Sequence, residues 1–194
     1  MNYPLELSFK LISVSPQLSV VDATGQTLFY VKQKAFKLKE SVAVFADREQ
    51  TRPVATISAD RILDISATYR FTDPNGNGFG AVRRRGLRSL WKSHYDVLRS
   101  DTECMSIREE NGWIKLMDGI FSQIPILGIL SGYLFHPTYI VRRTDGTALL
   151  RVKKKPAFFE GRFGIEKVGE FDAEEEALAV LSILMMVLLE RTRG

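Results

Sequence analysis

One pattern occurs three times in this chain and restricts its fold more than any other feature. The segments DATGQTLFYVKQK (22–34), DPNGNGFGAVRRR (73–85) and RTDGTALLRVKKK (143–155) each place a glycine, a valine six residues later, and then a basic run. Aligned on Gly25, Gly76 and Gly146, the residues seven positions earlier are Leu18, Tyr69 and Tyr139, and those five positions earlier are Val20, Phe71 and Val141. Apolar side chains therefore recur at every second residue on both sides of the glycine. A period of two is the period of a strand, and a glycine with Asp, Asn or Thr beside it supplies the positive φ of a tight turn. The repeated unit is a β-hairpin.

Alternation along these hairpins directs Phe29, Val31, Val82, Leu150 and Val152 inward, and Lys32, Lys34, Arg83, Arg85, Arg151, Lys153 and Lys155 outward. Further strand-like runs lie at 42–46, 54–58, 95–98, 105–108 and 163–168, and Leu5, Leu7, Phe9 and Leu11 alternate near the N-terminus. That N-terminal stretch carries Glu6 and Lys10 where a signal peptide needs an unbroken apolar run, so it reads as a strand. Many short strands joined by regular turns indicate a sandwich or a barrel. Fifty-one residues separate Gly25 from Gly76, but seventy separate Gly76 from Gly146. The surplus is assigned to residues 112–135, read as an insertion within a single domain spanning 1–194.

The closing segment differs in kind. Asp172 is placed to cap a helix over 172–191, Glu175 to complete a capping box, and Glu174 and Glu176 to favour the positive end of the helix dipole. The helix continues through LAVLSILMMVLL without a polar stripe. A helix apolar on every side has to be surrounded, and this apolar run is well short of the roughly 20 residues that span a bilayer, so a protein core is the expected surrounding.

Composition narrows the chemistry. Lys and Arg total 27 against 23 Asp and Glu, a net charge of +4 and no strong basic excess. The single cysteine, Cys104, allows neither an intrachain disulfide nor a Cys-rich zinc site, which suits a cytoplasmic protein. His94 and His136 stand in no metal-spaced pair and beside no identifiable nucleophile, and both are read as structural. DPNGNG (73–78) resembles the start of a calcium loop but has Arg84 where the bidentate glutamate belongs, so it reads as a turn. GNGFG (76–80) joins two strands with no helix following, which excludes a phosphate loop. No catalytic constellation, cofactor motif or metal site emerges.

Two features remain as candidate contact surfaces. The basic clusters are Lys32, Lys34, Lys37 and Lys39; Arg83, Arg84, Arg85, Arg88 and Lys92; and Lys153, Lys154 and Lys155. Their equivalent hairpin positions allow neighbouring strands to combine them into a cationic patch for phosphate headgroups, against the plainer reading of a solvated outer face. The insertion GWIKLMDGIFSQIPILGILSGYLF offers Trp113, Ile114, Phe121, Tyr133 and Phe135 to a membrane interface or a partner, or else caps one end of the barrel.

Hairpins carrying Asp and Gly, the segments FKLKESVAVFAD (36–47) and FGIEKVGEFD (163–172), and an all-apolar terminal helix occur here in an order that resembles the tubby C-terminal superfamily, especially its LURP-one-related and phospholipid scramblase-like branches. The resemblance implies a mainly β, closed antiparallel barrel of about twelve strands around the buried C-terminal helix. It also implies a non-catalytic module that binds anionic phospholipid or a membrane surface, peripheral to the membrane on its cytoplasmic side. A protein-interaction scaffold using the apolar insertion and a nucleic-acid-binding domain are the two rival readings.

Overall fold

The computed structural model describes residues 1–10, 17–32, 41–60, 67–85, 94–110, 138–156 and 160–191. The expected insertion at 112–135, with Trp113, Ile114, Phe121, Tyr133 and Phe135, lies outside them, as do His136, Lys34, Arg88 and Lys92. The strands are β1 (Leu5–Lys10), β2 (Gln17–Val21), β3 (Thr27–Lys32), β4 (Val42–Phe45), β5 (Pro53–Ala59) and β6 (Thr68–Thr72). They continue with β7 (Gly78–Arg84), β8 (His94–Arg99), β9 (Thr102–Glu109), β10 (Thr138–Arg143), β11 (Ala148–Lys155) and β12 (Glu160–Lys167). Each is antiparallel to its neighbours in sequence, and β1 pairs with β12 from Leu5↔Ile165 to Lys10↔Glu160. The twelve strands thus form one closed barrel, which leaves no sheet edge unpaired.

The three hairpin glycines adopt positive φ, at 84° for Gly25, 87° for Gly76 and 93° for Gly146. Each turn is flanked by a register shift in its strand pair, at Val20/Val21, Phe71/Thr72 and Val141/Arg142, the bulge that accompanies a left-handed residue at such a turn. Asp22 Oδ1 accepts hydrogen bonds from the amides of Thr24 and Gln26, and Asp73 Oδ1 from those of Asn75 and Asn77. A fourth turn of this kind escaped the glycine pattern: between β4 and β5, Asp47 accepts from the Thr51 and Arg52 amides while Gln50 takes φ 61°. Asp47 and Gln50 stand three apart, as Asp22 and Gly25 do, but without the glycine the repeat was invisible.

The helix, α1 (Ala173–Arg191), runs through the barrel. Asp172 caps it from outside its first residue, its Oδ1 accepting from the Glu175 amide at 2.7 Å. Glu175 gives only its amide to this cap. Its carboxylate takes a two-pronged pair from Arg143 of β10, at 2.7 Å from Nε and 2.6 Å from Nη2, which ties the start of the helix to the wall. Every residue from Leu178 to Leu189 is buried, against inward residues such as Leu7, Val20, Val44, Phe71, Val97 and Ile165. Fully burying each large apolar side chain is worth about 1.5–3 kcal/mol, which explains why a helix with no polar stripe sits inside a closed ring. The helix comes closest to β7 and β8. Gly80 makes this possible, since a Cβ there would lie 2.4 Å from Leu178 Cδ1. The glycines of GNGFG therefore have a turn role at Gly76 and a packing role at Gly80.

Candidate functional site

The barrel has two unlike mouths. Odd-numbered strands run away from the tight turns, so β3, β7 and β11 all end at the mouth opposite those turns. Their last residues are the basic runs: Lys32 on β3, Arg83 and Arg84 with Arg85 just beyond on β7, and Lys153, Lys154 and Lys155 on β11. Alternation holds as expected, with Val31, Val82 and Val152 buried and Lys32, Arg83, Arg85, Lys153 and Lys155 exposed. The strands themselves are not neighbours. Three others separate β3 from β7, β7 from β11, and β11 from β3 around the ring, so the clusters share a rim and not a side. The single patch expected from adjacent strands is not what the strand order brings together.

Most of these cations face acids one or two strands away. Lys153 Nζ lies 3.1 Å from Glu166 Oε1, Lys155 Nζ 2.9 Å from Glu6 Oε2, and Arg151 Nε 3.8 Å from Glu110 Oε2. Exposed pairs of this kind contribute about 0–1 kcal/mol and exchange readily. Lys10, Lys32 and Lys154, also at this mouth, form no ion pair among the described residues. The β7 cluster is built differently. Asp96 of β8 is fully buried although it faces outward, and its Oδ2 receives Arg85 Nε at 2.8 Å and Arg83 Nη2 at 3.3 Å. Arg85 also reaches Glu103 Oε2 at 2.8 Å. Its guanidinium is held charged above the usual arginine range, chiefly by the hydrogen bond to Asp96.

His94 stands beside this carboxylate, with Nε2 3.3 Å from Asp96 Oδ1, and both atoms are buried without a hydrogen bond. Burial pushes the His94 imidazole below its ordinary value, and Arg108 and Arg85 push the same way against the attraction of Asp96. Inside the mouth, Arg84 faces the end of α1, its Nη2 3.9 Å from Glu190 Oε1 and its guanidinium 5.8 Å from the centre of the Tyr95 ring. The Tyr95 hydroxyl donates to Glu190, and burial keeps that phenol protonated far above its ordinary range. Asp96, Arg108, Tyr95 and Glu190 were not expected as parts of this region; the HYDVLR alternation puts Asp96 outward, but only the packed strands bury it.

Glu110 and Thr138, which bracket residues 111–137, are joined by a 2.7 Å hydrogen bond from the Glu110 amide to the Thr138 carbonyl at this same mouth. At the opposite mouth the turns carry Asp22, Asp47, Asp73, Asp101 and Asp145, and the helix start carries Asp172, Glu174, Glu175 and Glu176. A cavity of about 780 Å³ opens there between the β6–β7 and β8–β9 turns and the first turn of α1, with Phe71, Phe79, Arg99, Asp101 and Glu174 in its lining. Among the described residues no group of three or more His, Cys, Asp or Glu side chains is placed to hold a metal, and no helix is long and apolar enough to cross a membrane.

A closed antiparallel barrel around a buried terminal helix is the architecture implied by the tubby-like class. The family described as LURP-one-related, a branch of the tubby-like C-terminal superfamily, has a model that matches residues 27–119, and the chain is similar to it over that segment, from β3 to beyond β9. No curated protein and no solved structure matched the chain. The family and the barrel are consistent with a binding module.

Proposed function

We propose that this protein binds anionic phospholipid surfaces without catalysing a reaction, using the basic mouth of the barrel, and that it acts as a peripheral protein on the cytoplasmic face of a membrane. The observation that carries the reading is the convergence of three basic strand ends on one mouth while the turn carboxylates gather at the other. A molecule with unlike ends is oriented by a charged surface, and each cation brought near an anionic bilayer adds about 1 kcal/mol. The Glu110–Thr138 bond supports the reading further, because it joins at this mouth the two ends of the described chain between which the sequence holds five Ile and four Leu. Basic and apolar residues together are the composition of an interfacial anchor.

Flotation with vesicles tests this. The wild-type chain is expected to float with phosphatidylserine-containing vesicles, to stay behind with pure phosphatidylcholine, and to release as salt rises. A Lys32→Glu, Arg83→Glu, Lys153→Glu variant that still unfolds cooperatively is expected to lose flotation. Wild-type protein that ignores phosphatidylserine at low salt overturns the proposal and favours a scaffold role for the apolar segment.

A further inference from the structure

The strand order says more about the partner than the charge does. β3, β7 and β11 divide a closed ring of twelve into thirds. With strands about 4.8 Å apart and tilted by about 40°, such a ring has a radius of about 12 Å, which places neighbouring basic clusters about 20 Å apart at the backbone. One phosphate-bearing headgroup does not bridge that span. The cations are available at each point: Lys32 is exposed, and Arg83, Arg85, Lys153 and Lys155 are each about half-exposed. Glu166 and Glu6, which pair with the β11 lysines, are themselves solvated, so a lipid phosphate replaces them at little cost. Buried Asp96 stays in place and keeps Arg83 and Arg85 fixed at the rim.

On the basis of the membrane reading above, we infer that the barrel stands end-on on an anionic bilayer, held by three separate headgroup contacts, and so responds to the surface density of anionic lipid and not to one headgroup. A flat surface meets all three points together. A rod of duplex nucleic acid laid across the ring meets two and leaves the third unpaired. Once the first contact forms, the other two become intramolecular, and their strength depends on how many anionic lipids lie within reach.

The test measures binding to phosphatidylcholine vesicles as their phosphatidylserine fraction is raised, at low occupancy and fixed salt. Three contacts predict about an eightfold rise in binding for each doubling of phosphatidylserine, whereas one contact predicts about twofold. Three variants each remove the net positive charge of one point: Lys32→Gln, Arg83→Glu, and Lys153→Gln with Lys154→Gln and Lys155→Gln. Arg85 is left intact because Asp96 is buried against it, and far-ultraviolet circular dichroism verifies that each variant is folded. Each is expected to reduce the rise to about fourfold per doubling. Soluble glycerophosphoserine at matched phosphate concentration is expected not to release the protein.

Failure to bind phosphatidylserine vesicles at all removes the membrane reading itself. Binding that rises only twofold, release by glycerophosphoserine, or loss confined to one variant overturns the three-point inference and leaves membrane binding standing. Release by a short DNA duplex at matched phosphate overturns it in favour of a nucleic-acid partner.

Discussion

At the scale of single residues, the turn carboxylates and His94 on the barrel wall are shifted by different causes, hydrogen bonds in the first case and burial in the second. Asp22 is held down to about 2, first by the Thr24 hydroxyl and then by Asn2 and the turn amides, and Asp47, Asp73 and Asp145 are lowered by equivalent turn bonds. These acids explain the acidic mouth as a by-product of turn chemistry. His94 titrates nearer neutrality. Its folded-state value is lowered from 6.5, so the unfolded chain binds its proton more readily than the folded one. The stability His94 contributes is therefore fully present above its ordinary range and is lost as pH falls below about 6.5. Denaturant midpoints measured from pH 8 to pH 5 are expected to fall on the acid side, and His94→Gln is expected to flatten that part of the profile. A profile unchanged by the substitution removes His94 as the cause.

At the scale of elements, α1 packs closely on β7 at Gly80. Gly80 leaves no space for a Cβ beside Leu178 Cδ1 and the Leu98 carbonyl, so Gly80→Ala has to shift the Leu178 side chain and crowds the β8 backbone. Overpacking a core in this way costs about 1–3 kcal/mol. Trimming the partner identifies the cause: Leu178→Ala also destabilises the protein, but the double variant is expected to be more stable than the sum of the two single losses predicts. Additive losses in a double-mutant cycle rule out direct contact as the reason. Gly76→Ala offers a contrast, because nothing lies near its Cβ position and its cost arises from φ alone, about 1–2 kcal/mol.

At the scale of the whole molecule, closure of β1 onto β12 makes the helix a captive. The ring has no edge through which α1 leaves, and its start is tied to the wall through Arg143 and Glu175 while Glu190 near its end meets Arg84 and Tyr95. Exchange of the amide hydrogens of residues 178–189 is thus expected to require opening of the barrel, at a free energy equal to that of global unfolding. Hydrogen exchange followed through denaturant titration checks this. Helix amides that exchange more readily than those of β11 and β12 overturn the captive-helix description. The same closure fixes the basic strand ends relative to one another, so the rim acts as a rigid spacer between its three charge clusters.

Local chemistry was legible without a structure. The glycine turns, the alternation that buries Val31, Val82 and Val152, the outward basic residues and the surrounded helix all depend on neighbours within a few positions, and a single chain displays those directly. The turn at Asp47 and Gln50 stayed hidden because a glutamine with positive φ carries no sequence signal. Exposure of Lys153 follows from its place on β11, but its distance from Lys32 and Arg83 follows from the order in which twelve strands close. Alternation determines which face a side chain takes and is silent about which strands are neighbours. Tertiary structure decided that the three basic runs mark thirds of one rim, that Asp96 is buried between Arg83 and Arg85, and that Gly80 faces Leu178. Each of these joins residues brought together by strand pairing, ring closure or the packing of the helix, where sequence periodicity holds no information.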